Sequence, residues 1–289
     1  MKDMFGKEKY KDINKNLNRR FEEKKVLIAV HRGVWCGNII ENTVEAYDAC
    51  RVMGADLFEC DLSETTDGVL YMFHDGGEWR VLGKDQSILT MSSAEVDSLM
   101  CRNGLGEPSG RYLQRYEQLL KHYKNGELFN VDRSWPSLAK LDEIMQKYPH
   151  AISQAVIKTP VKEEYLEFFQ NCPNKYMYMP IAYSMEEVRK VLSYPDINVV
   201  GVEAILFSEE TDLFQNENIQ WIHEQGLYYW ANVITLGNKP EHRLYTGYED
   251  DVALEKGPEA SWGKLIDKGI DILQTDWPYQ LYQFRKEKV

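Results

Sequence analysis

Residues 153–206 read SQAVIKTPVKEEYLEFFQNCPNKYMYMPIAYSMEEVRKVLSYPDINVVGVEAIL. Three short runs rich in β-formers, Ser153–Lys158, Met177–Ala182 and Val199–Leu206, are separated by two amphipathic segments, Glu163–Asn171 and Ser184–Ser193. Such alternation is the signature of repeated βα units whose strands run parallel. The same rhythm continues in both directions. Upstream lie candidate strands at Val26–Val30, Asp56–Leu62 and Leu128–Asp132, and downstream at Leu227–Val233 and Asp271–Thr275. Thr43–Met53, Ser137–Lys147, Glu217–Gln225 and Ser261–Lys268 read as helices between them. Eight strands with intervening helices predict an α/β fold of the TIM (β/α)8 barrel type. A doubly wound open sheet is the competing arrangement, but no GxGxxG opens a helix after the first strand, so its dinucleotide-binding form loses support.

One interval breaks the rhythm. About sixty residues separate the second barrel strand from the third, far more than an ordinary connection needs. Val69–Phe73 reads as a short extra strand after the turn Thr66-Asp67-Gly68, and Gly76–Arg115 as a small insertion with a helix at Ser92–Met100, placed over the barrel mouth. The chain thus divides into an N-terminal helical segment, residues 1–25, and a barrel domain, residues 26–289. The N-terminal segment carries a run of Lys and Arg interleaved with Asp and Glu, and is read as a solvated amphipathic helix.

Composition bounds the function. An apolar share of 43% fits a packed globular body. A formal charge of -12, from 34 basic and 46 acidic residues, argues against a nucleic-acid partner, since phosphate backbones are held by clustered Lys and Arg. Five cysteines, Cys36, Cys50, Cys60, Cys101 and Cys172, show no CxxC pairing and suggest free thiols rather than a disulfide framework. No run reaches the roughly 18 apolar residues of a membrane span, so stable membrane insertion is not expected. A cytoplasmic location is favoured, although an exported protein whose leader had been removed would read the same.

The chemistry gathers where strands end. His31-Arg32-Gly33 follows the first strand, Glu59-x-Asp61 closes the second, and His74-Asp75 closes the extra one. Two apart on a strand, Glu59 and Asp61 project to one side as oxygen ligands suited to Mg2+ or Ca2+. Asp132, ending the third strand, is a third carboxylate. Three such groups in one barrel mouth repel unless a cation neutralises them, so a divalent metal is implied. His122, His150, His223 and His242 read as surface or helix-face residues.

Taken together, Val30-His31-Arg32-Gly33, Glu41-Asn42-Thr43, Gly54-Ala55-Asp56, Glu59-x-Asp61, Thr66-Asp67-Gly68 and His74-Asp75 resemble the glycerophosphodiester phosphodiesterase family. Gly269-Ile270-Asp271 and Thr275-Asp276-Trp277-Pro278 resemble its last strand, so the likeness runs from about Val26 to near the C-terminus. The resemblance implies His31 and His74 as the acid–base pair, Glu59 and Asp61 as metal ligands, and Arg32 as a phosphate contact. It also implies a small-molecule phosphodiester substrate whose glycerol hydroxyl attacks first, giving a cyclic phosphate that water opens.

This chain departs from the family pattern on the third strand. There the family usually has Glu followed two residues later by a phosphate-binding Lys, whereas here the row is Asn130-Val131-Asp132-Arg133-Ser134. Asp132 is the preferred third ligand, and Lys158 the preferred replacement cation, with Arg133 competing. Glu203 is either a further pocket carboxylate or a buried structural partner. Trp230 resembles the family's pocket-walling Trp, with Asn232 nearby; Trp35 and Trp79 flank the histidine segments, and Trp277 is expected to pack. The expected activity is metal-dependent hydrolysis of glycerophosphodiesters. A phospholipase acting on intact lipid and a non-catalytic barrel binding a phosphorylated ligand are the alternatives; the first of these calls for an exposed apolar rim, which no single stretch supplies. Sequence leaves the oligomeric state open.

Overall fold

The computed structural model describes residues 5–239 and 242–289; residues 1–4 of the expected N-terminal segment lie outside the described residues. Eleven strands follow in chain order among them: β1 Leu27–Val30, β2 Leu57–Glu64, β3 Leu70–Met72, β4 Met100–Arg102, β5 Pro108–Tyr112, β6 Leu128–Asp132, β7 Ala155–Pro160, β8 Met177–Ala182, β9 Gly201–Ala204, β10 Tyr228–Asn232 and β11 Ile272–Thr275. Strands β1, β2 and β6 to β11 pair in parallel with their chain neighbours, and β11 returns to β1, closing an eight-stranded barrel. Each expected barrel strand is present, with ends shifted by a few residues.

The barrel strands are short and buried almost throughout, because helices cover one face and the barrel interior the other. Side chains alternate accordingly. Ile28, Val30, Phe58, Cys60, Phe129, Val131 and Ile157 face the helices, while Leu27, Ala29, Leu57, Leu128, Val156, Met177, Met179, Tyr228, Trp230 and Ile272 fill the inside. Following each inward row two residues at a time gives Leu27-Ala29-His31, Leu57-Glu59-Asp61, Leu128-Asn130-Asp132, Val156-Lys158, Tyr228-Trp230-Asn232 and Ile272-Gln274-Asp276. Every row starts apolar and ends polar. The lower barrel is therefore a packed core and the upper barrel a polar site.

The helix Lys11–Lys24 corrects the expectation of a solvated N-terminal segment. Leu17 is fully buried against the lower barrel core, with Phe5, Ile13 and Phe21 around it. Phe5 stacks on Tyr228 with ring centroids 4.0 Å apart, and Asn14 exchanges amide hydrogen bonds with Asn198 at 3.0 and 2.8 Å. The charged residues seen in the sequence cover the outer face of a plug that seals the barrel floor.

Beyond β2, strand β3 pairs antiparallel with its upper end, Leu62 opposite Met72. The insertion then holds helices Glu78–Leu82 and Ser93–Asp97 and the hairpin β4–β5. It has its own core of Tyr71, Phe73, Val81, Ile88, Val96 and Cys101, joined by Ile40 from the loop after β1. Sequence reading did not mark Glu78–Leu82 or, outside the insertion, three further helices among the described residues: Tyr116–His122, Asp250–Lys256 and Pro278–Lys288.

Candidate active site

The loop after β1 is wound tightly. Arg32 takes φ +56° and Gly33 φ +80°; a Cβ on Gly33 would stand 2.8 Å from that of Ala46, so the helix Val44–Val52 packs directly on this turn. The Arg32 N–H donates to Glu59 Oε2 at 3.2 Å. Its guanidinium lies 3.2 Å from Asp61 Oδ2 and 3.3 Å from Glu41 Oε1. Asn42, also at positive φ, donates to Asp61 Oδ2 at 2.9 Å and accepts from the Asp61 N–H and the Tyr47 hydroxyl. A left-handed backbone at two non-glycine residues is strain of the kind that concentrates at functional sites.

The two histidines stand above this floor. His31 Nδ1 is 3.0 Å from Asp276 Oδ1, and its Nε2 lies 3.9 Å from Glu59 Oε2. Because a carboxylate only accepts, Nδ1 carries the proton in neutral His31 and Nε2 is basic. His74 donates from Nδ1 to the Asp75 carbonyl at 2.7 Å, which selects the same tautomer. Burial holds the His74 imidazole below its usual range, against the opposing pull of Asp61.

The carboxylates titrate apart. Burial and the Asp61 charge push Glu59 up to about 7, although Lys158 and Arg32 oppose them. Burial would raise Asp61 too, but Arg32, His74 and the Asn42 amide hold it below the ordinary value. Asp132 sits directly opposite Asp61 in the β2–β6 register. Partial enclosure, Glu59 and Glu203 raise it well above the ordinary value.

At the barrel centre Lys158 is fully buried, with its ammonium 2.6 Å from Glu203 Oε2 and 3.2 Å from the Trp230 ring centroid. Asn232 donates to the other Glu203 oxygen at 2.5 Å, and Trp230 Nε1 donates to Asn232 and Gln274. Trp230 therefore lies beneath the mouth as a floor, with no exposed face. Arg133, the competing cation, is ion-paired to Asp75 nearer the surface. Trp277, expected to pack, is 43% exposed beside Asp276, because Pro278 opens a helix immediately after it and turns the chain outward.

The model of the Glycerophosphoryl diester phosphodiesterase family matches residues 31–229, well over half of the chain and both histidine segments. The chain belongs to this family. It is accordingly a phosphoric diester hydrolase. A second family model, described only as a domain of unknown function, matches residues 178–285. No curated protein sequence matches the chain. Among solved structures, a glycerophosphoryl diester phosphodiesterase from Parabacteroides distasonis is similar at 17% identity, with a TM-score of 0.71 over 91% of this chain and 86% of that one. A glycerophosphodiester phosphodiesterase from Thermotoga maritima shares 17% identity, with a TM-score of 0.63 over 90% and 98%. An Oleispira antarctica phosphodiesterase in complex with the product sn-glycerol-3-phosphate shares 15%, with a TM-score of 0.65 over 93% and 99%. At these identities the structures attest the shared barrel.

Glu59, Asp61 and Asp132, the expected metal ligands, stand at the same end of neighbouring strands, Asp61 opposite Asp132 in register. Among the described residues no three His, Cys, Asp or Glu side chains are grouped as a ready metal shell. Asp61 meets Arg32 and Asn42 through Oδ2, and Glu59 meets the Arg32 N–H and His31 through Oε2. The donor set nevertheless suits a hard cation. Burial first, and neighbouring carboxylates second, raise both Glu59 and Asp132. Asn130, opposite Glu59 in register, also keeps a buried Oδ1 without a hydrogen-bond partner.

Sequence reading assigned no role to Asp276 or Gln274. Both continue the inward row begun by Ile272, and a polar residue at inward parity in an apolar strand was the signal that would have marked them.

Proposed function

We propose that the chain hydrolyses glycerophosphodiesters to an alcohol and glycerol phosphate, with His31 and His74 as the acid–base pair. The observation that carries this reading is that each imidazole has its Nδ1 tied to an acceptor, Asp276 for His31 and the Asp75 carbonyl for His74, which leaves Nε2 of both for substrate. One imidazole takes the proton of the attacking glycerol hydroxyl and the other protonates the departing alkoxide, giving a cyclic phosphate that water then opens. Asp276 fixes the His31 tautomer and stabilises its imidazolium. Arg32 and Lys158 are the proposed contacts to the nonbridging oxygens, with Glu203 and Trp230 holding Lys158 in place. Glu59, Asp61 and Asp132 would hold a divalent cation, Mg2+ or Ca2+, which supplies further charge neutralisation at the phosphate.

The test is turnover on a panel of glycerophosphodiesters with Mg2+, Ca2+ or chelator. His31→Ala and His74→Ala are each expected to cost about 10²–10⁴-fold in kcat. Undiminished activity in either variant would remove that histidine from the mechanism, and full activity in chelator would remove the cation.

A further inference from the structure

Behind the His31–Asp276 contact stands a buried carboxylate to which the catalytic scheme gives no part. Asp250, 2% exposed, opens the helix Asp250–Lys256 in the connection between β10 and β11. Its own N–H donates to the Val233 carbonyl at 2.6 Å, which fixes it to the end of β10. The carboxylate takes three donors. Trp262 Nε1, on the helix Trp262–Lys268, donates to Oδ1 at 2.9 Å, the Asp276 N–H donates to Oδ2 at 2.9 Å, and the Thr275 hydroxyl stands 2.8 Å from both oxygens.

Such a group is expensive to keep. Among the described residues no basic side chain is ion-paired to Asp250, and Arg243, on the same connection, reaches Glu249 instead at 3.9 Å. Burial pushes the Asp250 carboxyl up to about 7 against the pull of its three donors, and the Asp276 charge adds to the rise. A buried charge without a cation is tolerated only where hydrogen bonds satisfy it. An asparagine would avoid the charge, but it has one acceptor oxygen, and its amide would turn a donor toward either the indole or the Asp276 N–H. Only the carboxylate holds all three donors at once.

What it holds is the segment that meets His31. Thr275 pairs with Val30 in the β1–β11 register, and its carbonyl accepts the His31 N–H at 3.3 Å. The Thr275 hydroxyl also accepts the Trp277 N–H at 2.8 Å, so the turn after β11 is tied down on both sides of Asp276. The Asp276 side chain is 41% exposed, and among the described residues its one hydrogen-bond partner is His31 Nδ1. Its aim therefore comes from its backbone, and the N–H of that backbone is held by Asp250.

Resting on the proposed role of His31, we propose that Asp250 is a positioning residue: it locks the turn that points Asp276 at His31 Nδ1, and so keeps the neutral imidazole in the tautomer whose Nε2 is free. It touches neither substrate nor the reacting atoms, and acts through Asp276 alone.

The experiment is a double-mutant cycle on glycerophosphodiester turnover with Asp250→Ala and Asp276→Ala, each measured below its unfolding transition. Asp250→Ala is expected to lower kcat by up to about 10²-fold, the cost of misplacing a catalytic group by about 1 Å, while KM changes less than about twofold. Added to Asp276→Ala, it should cost less than about twofold more. Asp250→Asn should fall between the unaltered protein and the alanine variant. An unchanged kcat in Asp250→Ala, or the same loss with and without Asp276, would overturn the proposal and leave Asp250 a structural anchor. The tautomer is read without turnover, from the ring-nitrogen NMR shifts of His31 in alkaline buffer, assigned by their absence from His31→Ala. The unaltered protein should show the Nδ1–H form and Asp250→Ala a mixture. Should the alanine variant not fold, Asp250→Asn takes its place in both measurements. A tautomer that stays the same would overturn the proposal. A shifted tautomer with no diester turned over would keep Asp250 as the residue that positions His31 and would remove the proposed function.

Discussion

Lys158 and Glu203 form an ion pair inside the barrel, with exposed side-chain fractions of 0% and 4%. Removing one member of such a pair leaves the other charge buried and unbalanced, at a cost of about 3–5 kcal/mol, whereas replacing both with neutral groups of similar volume is often close to neutral. Glu203→Gln should therefore lower the denaturant midpoint sharply, and Lys158→Met with Glu203→Gln should restore most of it. If Lys158 also meets phosphate, the double variant regains stability but not kcat/KM; full activity in that variant would make the pair structural only. This is where residue-level reading of the sequence stopped. His31, Glu59, Asp61 and His74 were legible because each sits just beyond or at the end of an apolar run, a position that fixes its place in a barrel. The pairing of Lys158 with Glu203 was not, since it joins β7 to β9 across the barrel, and that closeness exists only once the strands have closed. The His31–Asp276 contact, 245 residues apart in the chain, was hidden for the same reason.

At the scale of elements, the helix Lys11–Lys24 shows how the same residues support two readings. Its charges spread around most of its circumference, so the sequence suggested a solvated helix, yet Leu17 is buried completely and Phe5, Ile13 and Phe21 flank it at the barrel floor. A narrow apolar stripe is enough when the surface it meets is a single opening ringed by eight strands. Leu17→Ala is expected to cost about 2–5 kcal/mol, the range for truncating a buried leucine, while kcat/KM measured below the unfolding transition stays within twofold because the site is at the opposite end. A loss under about 0.5 kcal/mol, typical of surface positions, would show that the plug contributes little. Barrel strands were readable at the same scale because double burial makes them continuous apolar runs. Short helices such as Tyr116–His122 were not, because two turns of helix beside an insertion leave too little periodicity to separate them from loop.

Over the whole molecule, acidic residues outnumber basic ones by 46 to 34, yet the reaction concerns an anionic phosphodiester. The cations at and below the mouth do not reverse this field locally: Arg32 faces Asp61 and Glu41, Arg133 faces Asp75, and the buried Lys158 faces Glu203. An approaching substrate with net negative charge should therefore be repelled until it is close enough to compete for those partners. The screening length falls from about 30 Å at 0.01 M salt to about 8 Å at 0.15 M, so the repulsion is removable. Raising the salt over that range should lower KM for glycerophosphoglycerol, which carries a net charge, severalfold, while KM for zwitterionic glycerophosphocholine changes less than twofold. The contrast between the two substrates matters more than either value, because a salt effect on folding or on cation binding would move both together. A KM for the anionic diester that instead rises with salt would mean that the arginines at the mouth dominate the field there, and that their carboxylate partners are displaced before the substrate arrives.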